Sequence, residues 1–312
     1  MQTVVLAFNA VFPLLAFMMT GFFLKRKGFF KGNSTDELNK LVFKVFLPLN
    51  IFTSIYTCDL KSSFKPDVAL YVACNSIIAF IVLSLIIPLI EKDRRNIPVM
   101  VQGIHKSNYN LLAATIVANF FGENLGMAMV LTGIITPIVN TCSAVAFESA
   151  RGGTANLKSL LKKVITNPLV VASLSSIALN LIGFPIPNII VKSVMSKMST
   201  MATPLALMSL GATFEFEGIR KYSRQLSIVC LGKLFLYPLI TIPLAVFFGI
   251  SGPDLIAVTV FCACPTAVNS YSTAVSMGGN GEFAGSVVIL TSILSIFTLF
   301  GWFCAIGFMG WL

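Results

Sequence analysis

Two apolar stretches carry polar groups where the surrounding residues would lead one to expect none. The segment VQGIHKSNYNLLAATIVANFFG (101–122) holds Asn108, Tyr109 and Asn110, and VFCACPTAVNSYSTAVSMGGN (260–280) holds Pro265, Asn269, Ser270 and Tyr271. Their chemistry is recognition rather than bond-making. Amides and hydroxyls supply hydrogen-bond donors and acceptors, and the sequence offers no HExxH, aspartate-rich motif or paired intramembrane aspartates beside them. Proline removes a backbone donor and clashes with the preceding turn, so a helix running through Pro265 frees carbonyls. A broken helix brings a positive N-terminal end close to a negative C-terminal end. Carriers use that arrangement to hold a charged solute with few charged side chains, although hydrogen bonding between helices uses the same residue types. Asn50, two residues after Pro48, is a weaker candidate for the same set.

Cations accompany these amides. Lys106 and Lys233 lie roughly 12 Å inside apolar stretches at 1.5 Å per residue, and His105 adjoins Lys106. Either the lysines snorkel to the nearer surface, or with His105 they form an electropositive inner vestibule that draws in an anion. Lys40, Lys44, Lys192 and Lys197 stand near span ends, where snorkelling is expected. All twelve acidic residues fall in loops or near the ends of apolar stretches. That counts against a buried carboxylate proton relay, while a sodium ion could still be held by carbonyl, amide and hydroxyl oxygens. Coupling to H+ or Na+ stays open, and no other cofactor is expected. A single histidine excludes a multi-histidine metal site, and the seven cysteines show no CxxC spacing.

The elements that must position these residues follow from composition. Charged residues make up 11% of the 312-residue chain and apolar residues 56%, with a mean hydropathy of +0.88. A soluble domain has roughly 25% and 45–50%, so the surplus apolar surface must face lipid. The net charge of +10 does not point to nucleic acid, because the basic residues come in short bursts between apolar stretches. Windows of about 20 apolar residues fall near 2–24, 38–57, 67–90, 99–121 and 125–149. After a basic connector, 150–166, they resume near 167–183, 189–213, 225–249, 255–278 and 283–308. The expected fold is an all-α integral membrane protein with ten transmembrane helices.

Orientation follows from the lysines and arginines. With the N-terminus outside, the cytoplasmic segments would hold fourteen of them, among them Lys25, Arg26, Arg94, Arg95, Arg151, Lys158 and Arg220, against Lys61 and Lys65 in the outer loops. This is a strong positive-inside bias. Both termini are then expected outside a cytoplasmic membrane. Residues 1–150 would form one five-helix repeat and 167–312 a second, inverted one, with 151–166 as the cytoplasmic connector between them. VFLPLNIF around Pro48 and MATPLALM around Pro204 occupy matching places, as do the two polar spans, fourth and ninth.

The segments ITNPLVVASLSSIALNLIGFPIP, MATPLALMSLGATF, GKLFLYPLI and above all CPTAVNSYSTAVSMGGN resemble the auxin efflux carrier family, which includes plant PIN-type carriers and bacterial permeases for malate and malonate. The likeness covers essentially the whole chain. It implies the fold of bile-acid sodium symporters, in which a scaffold domain supports a transport domain whose two broken helices cross. The fourth span departs from the family's N-x-G-F-x-G-x-P pattern: Asn110 and Ala113 stand at the glycine places and Thr115 at the proline place, which leads one to expect a softer break there than at Pro265. Asn108, Pro265, Asn269 and Ser270 match the family's motif residues. The expected function is alternating-access transport of a small organic anion, a carboxylate such as malate or malonate or an auxin-like acid. A solute sensor or channel on the same fold is the alternative, and a membrane enzyme is disfavoured by the missing catalytic cluster. Expected partners are the anion and the bilayer; a homodimer is allowed but not required.

Overall fold

A computed structural model describes residues 2–57, 64–109, 117, 126–151, 162, 164–214 and 216–311. The regular elements among the described residues are all helices, and no strand occurs among them beyond one isolated bridge, Ser107 with Thr266. In chain order the helices are α1 (Gln2–Arg26), α2 (Ser34–Leu41), α3 (Leu47–Tyr56), α4 (Pro66–Ile90), α5 (Ile97–His105), α6 (Gly126–Ala150) and α7 (Pro168–Ile182). They continue with α8 (Ser196–Thr213), α9 (Phe216–Lys221), α10 (Ser223–Leu231), α11 (Tyr237–Phe247), α12 (Gly252–Ala263), α13 (Asn269–Ser276) and α14 (Gly281–Phe308). Five continuous helical stretches, Ser34–Tyr56, Pro66–Ile90, Val130–Ala150, Ser223–Phe247 and Gly281–Phe308, are long and apolar enough to cross a membrane. Asn110 and most of the connector lie outside the described residues.

Local chemistry sets several helix ends. Pro66, Pro98, Pro168 and Pro253 stand in the first turns of their helices, where a missing N–H removes no intrahelical bond. Asn167 Oδ1 accepts from Leu169 N at 2.9 Å, and Asn280 Oδ1 from Phe283 N at 3.1 Å, each capping a helix start. The π segments Val42–Phe46, between α2 and α3, and Gly232–Leu236, between α10 and α11, each end two residues before a proline, Pro48 and Pro238. A proline ring collides with the carbonyl four residues back. Those carbonyls, of Lys44 and Leu234, lie inside the widened turns, so the π geometry takes up the clash without breaking the span.

α1 packs along α8 and against α14; α3 packs on α7 and α8; α4 lies against α5 and α6. The α1–α8 crossing is close enough to exclude side chains. A Cβ at Gly21 would stand 2.0 Å from the Met208 carbonyl oxygen, and one at Gly211 would stand 1.9 Å from that of Met18. Small residues that let backbones touch are the usual contact in membrane bundles.

Buried apolar side chains form two clusters. One gathers α5, α13, the start of α14 and parts of α3, α7 and α8; the other gathers α12, α11, the start of α4 and the end of α14. The interrupted helices meet between them. The outer faces of α4 (Leu70, Ile78, Leu85, Leu89) and α11 (Leu239, Ile240, Phe247) are exposed and apolar, as a surface in contact with lipid must be.

Candidate functional site

Both polar spans break. α5 stops at His105 and the backbone turns extended at Lys106 (φ −92°, ψ 112°); α12 stops at Ala263 and turns extended at Cys264 (φ −62°, ψ 153°). The extended pieces run antiparallel and exchange two backbone bonds, Asn108 N to Pro265 O at 2.9 Å and Ala267 N to Lys106 O at 3.1 Å. The paired residues also cap each other's helices. Thr266 Oγ1 donates to the Gly103 carbonyl of α5 at 2.6 Å, and Ser107 Oγ donates to the Phe261 carbonyl of α12. Unpaired backbone groups are costly where no water reaches, and this exchange pairs several of those that the breaks release. The sequence led one to expect a softer break in the fourth span, for want of a proline. The structure shows a full interruption before Asn108, because the partner segment supplies the hydrogen bonds that the helix gives up.

Beside this crossing lies a cavity of about 100 Å³. α3 contributes Leu47, Asn50 and Ser54; α6 contributes Thr136 and Asn140; α8 contributes Thr203. The breaks add Lys106, Asn108 and Asn269, the last at the first residue of α13, so a helix N-terminus abuts the space. Several of its polar atoms find no hydrogen-bond partner among the described residues: Lys106 Nζ, Asn108 Nδ2, Asn269 Oδ1, and both Asn140 amide atoms. Lys106 is 2% exposed. Asn50 Nδ2 is engaged, donating to the Ser199 carbonyl at 3.1 Å.

The structure thus brings Asn50, Lys106, Asn108 and Asn269 to one cavity. Pro265 and Ser270 stand behind it: the Pro265 carbonyl holds Asn108 in place, and Ser270 is buried with its Oγ unpartnered among the described residues. His105 points elsewhere, its Nε2 within 2.9 Å of Ser76 Oγ and 3.0 Å of the Ser76 carbonyl on α4. Lys233 is fully buried and donates to Ser107 Oγ. Neither lysine reaches a surface, so snorkelling does not describe them. Asn140, like Ser54, Thr136 and Thr203, was not among the candidates read from the sequence. Its signal was available: a lone amide three residues after Pro137, in the middle of a long apolar helix, is a functional candidate by default.

A family model for membrane transport proteins matches residues 6–303. The chain belongs to this family. That membership bears out the resemblance read from the sequence and makes the protein a multi-pass membrane protein of a transport family. Among its relatives are two archaeal transporters whose names carry no substrate. One, from Methanothermobacter thermautotrophicus, is 23% identical over 299 residues, covering 94% of this chain and 96% of the relative. The other, from Methanocaldococcus jannaschii, is 22% identical over 305 residues, covering 94% and 97%. A Rhizobium meliloti protein whose name proposes it as a malonate transporter is 19% identical over 301 residues, covering 93% of each chain.

Proposed function

We propose that this protein is a secondary carrier that moves a small organic anion across the cytoplasmic membrane by alternating access, with the cavity at the crossing as its binding site. The observation that carries the reading is Lys106 Nζ, an amine buried beside the cavity without a partner. An ammonium taken out of water and left unpaired costs several kcal/mol, so a site built this way favours a ligand that brings a negative charge. Asn108 Nδ2 and the N-terminus of α13 add donors for a carboxylate, and Asn140 can both donate and accept. A cavity of about 100 Å³ lined by amides, hydroxyls and one buried amine suits a small carboxylate. The malonate assignment proposed for the Rhizobium meliloti relative agrees with that chemistry.

We infer further that ten spans form two inverted five-helix repeats, with both termini outside. Several contacts support the arrangement. Lys65 and Asp254, at helix starts expected outside, pair at 2.5 Å. Helix ends expected inside also meet, through Gln225 with Glu91 at 2.8 Å and Lys221 with Glu282 at 2.9 Å. The reciprocal capping at the crossing is what two related, oppositely oriented helices would give.

Malonate flux into proteoliposomes tests the transport reading. Saturable uptake is expected, and Lys106→Gln should weaken malonate affinity about tenfold, near 1.4 kcal/mol, with a smaller loss at high salt. Asn108→Ala should abolish uptake while leaving a folded protein. Unchanged affinity in both variants would remove the cavity as the site, and ligand binding without flux would favour a sensor.

A further inference from the structure

Lys233 lies in the π segment Gly232–Leu236, fully buried. Gly232 allows that segment to press on α5: a Cβ there would stand 2.9 Å from Ile104 Cδ1. The amine consequently reaches the crossing. It donates to Ser107 Oγ, whose hydroxyl in turn donates to the Phe261 carbonyl, and the Tyr237 ring centroid lies 5.2 Å away, close enough to attract a cation. The ion pairs among the described residues, Lys65–Asp254, Arg151–Glu148 and Lys221–Glu282, do not include it.

The charge that this ammonium answers is that of the backbone. α5 and α12 both end at the crossing, and each helix C-terminus carries roughly half a negative charge. Unwound carbonyls and half-helix C-termini are where carriers coordinate a monovalent coupling ion, using carbonyl and hydroxyl oxygens. Here the hydroxyl at that place, Ser107, is already committed to an ammonium. The other side of the bridge differs: the Thr266 N–H donates to Thr291 Oγ1 at 3.2 Å.

We propose that Lys233 is a tethered cation that takes the place of a bound coupling ion between the C-terminal ends of α5 and α12, so that the crossing is complete without sodium. This goes beyond the transport reading and does not depend on which solute is carried.

The test uses purified full-length protein in detergent and needs no substrate. Melting temperature is measured in sodium chloride and in choline chloride of equal ionic strength. Wild type is expected to melt at the same temperature in both. Lys233→Ala, which leaves the Ser107 hydroxyl and the Phe261 carbonyl facing an empty space, should melt below wild type in choline and regain part of the loss as sodium is titrated in, along a saturable curve. Lys233→Met refills the space without charge; it should melt low and ignore sodium. The proposal is overturned if wild type itself melts higher in sodium, if Lys233→Ala shows no recovery, or if Lys233→Met recovers equally, which would mark a general salt effect. Should Lys233→Ala yield no folded protein, Lys233→Met decides: wild-type melting in choline would show that the charge is dispensable, and melting well below wild type would support its role.

Discussion

At the residue scale, the asparagines differ in what their side chains touch. Asn167 and Asn280 spend their side-chain oxygens on helix caps, and Asn180 donates to the Ile55 and Tyr56 carbonyls at 3.2 and 3.0 Å. Asn140 is 3% exposed, yet neither amide atom has a partner among the described residues. A buried amide left unsatisfied costs about 1–3 kcal/mol, and Leu has the same number and branching of side-chain heavy atoms without the polar groups. Asn140→Leu is therefore expected to raise the melting temperature, by about 1 kcal/mol of stability, while weakening malonate binding at least tenfold, read as a smaller malonate-induced melting shift. A stabilised variant that still binds malonate normally would place Asn140 outside the site.

At the scale of elements, the crossing and the α1–α8 contact work by close backbone approach. At the crossing, two extended segments satisfy each other's helix ends. At the α1–α8 contact, Gly21 and Gly211 let the carbonyls of Met208 and Met18 come within contact distance. Alanine at Gly21 would require the two helices to separate along their whole interface, so Gly21→Ala should lose about 2 kcal/mol or more, as overpacking does, with a matching fall in folded yield. Gly301 in α14 supplies the control: a Cβ there meets nothing within 4 Å. Gly301→Ala should be neutral or gain up to about 1 kcal/mol from helix propensity. Equal melting temperatures for Gly21→Ala and wild type would mean that the α1–α8 contact is looser than described.

At the scale of the molecule, the two apolar clusters meet at a polar seam formed by the crossing and the cavity beside it. A carrier needs such a seam near the midplane, reachable from one side at a time. The orientation that we propose makes a direct prediction for the two segments that flank α4. In a cysteine-free background, Phe64→Cys, at an exposed position before α4, should be modified by an impermeant thiol reagent applied from outside. Arg94→Cys, in the loop that joins α4 to α5, should react only after permeabilisation. The opposite pattern would reverse the orientation, and labelling of both from one side would remove the odd number of spans on which inversion depends.

Much of this was legible in the sequence. Apolar windows and sparse charge require a membrane solvent whatever the tertiary structure, because lipid selects on composition alone. Asn108 and Asn269 stood out because an amide in an apolar span has to face protein or a wet cavity. Tertiary structure decided the rest. Lys106 and Lys233 read alike along the chain, yet one lines the cavity and the other reaches the crossing from a different helix. His105, adjacent to Lys106, turns away to Ser76. Helical periodicity gives the direction in which a side chain leaves its own axis, not which of several neighbouring helices it meets, and past a break it gives no direction at all. The break before Asn108 was likewise beyond local reading, since the hydrogen bonds that permit it come from Thr266, Pro265 and Ala267, more than a hundred residues away in the sequence.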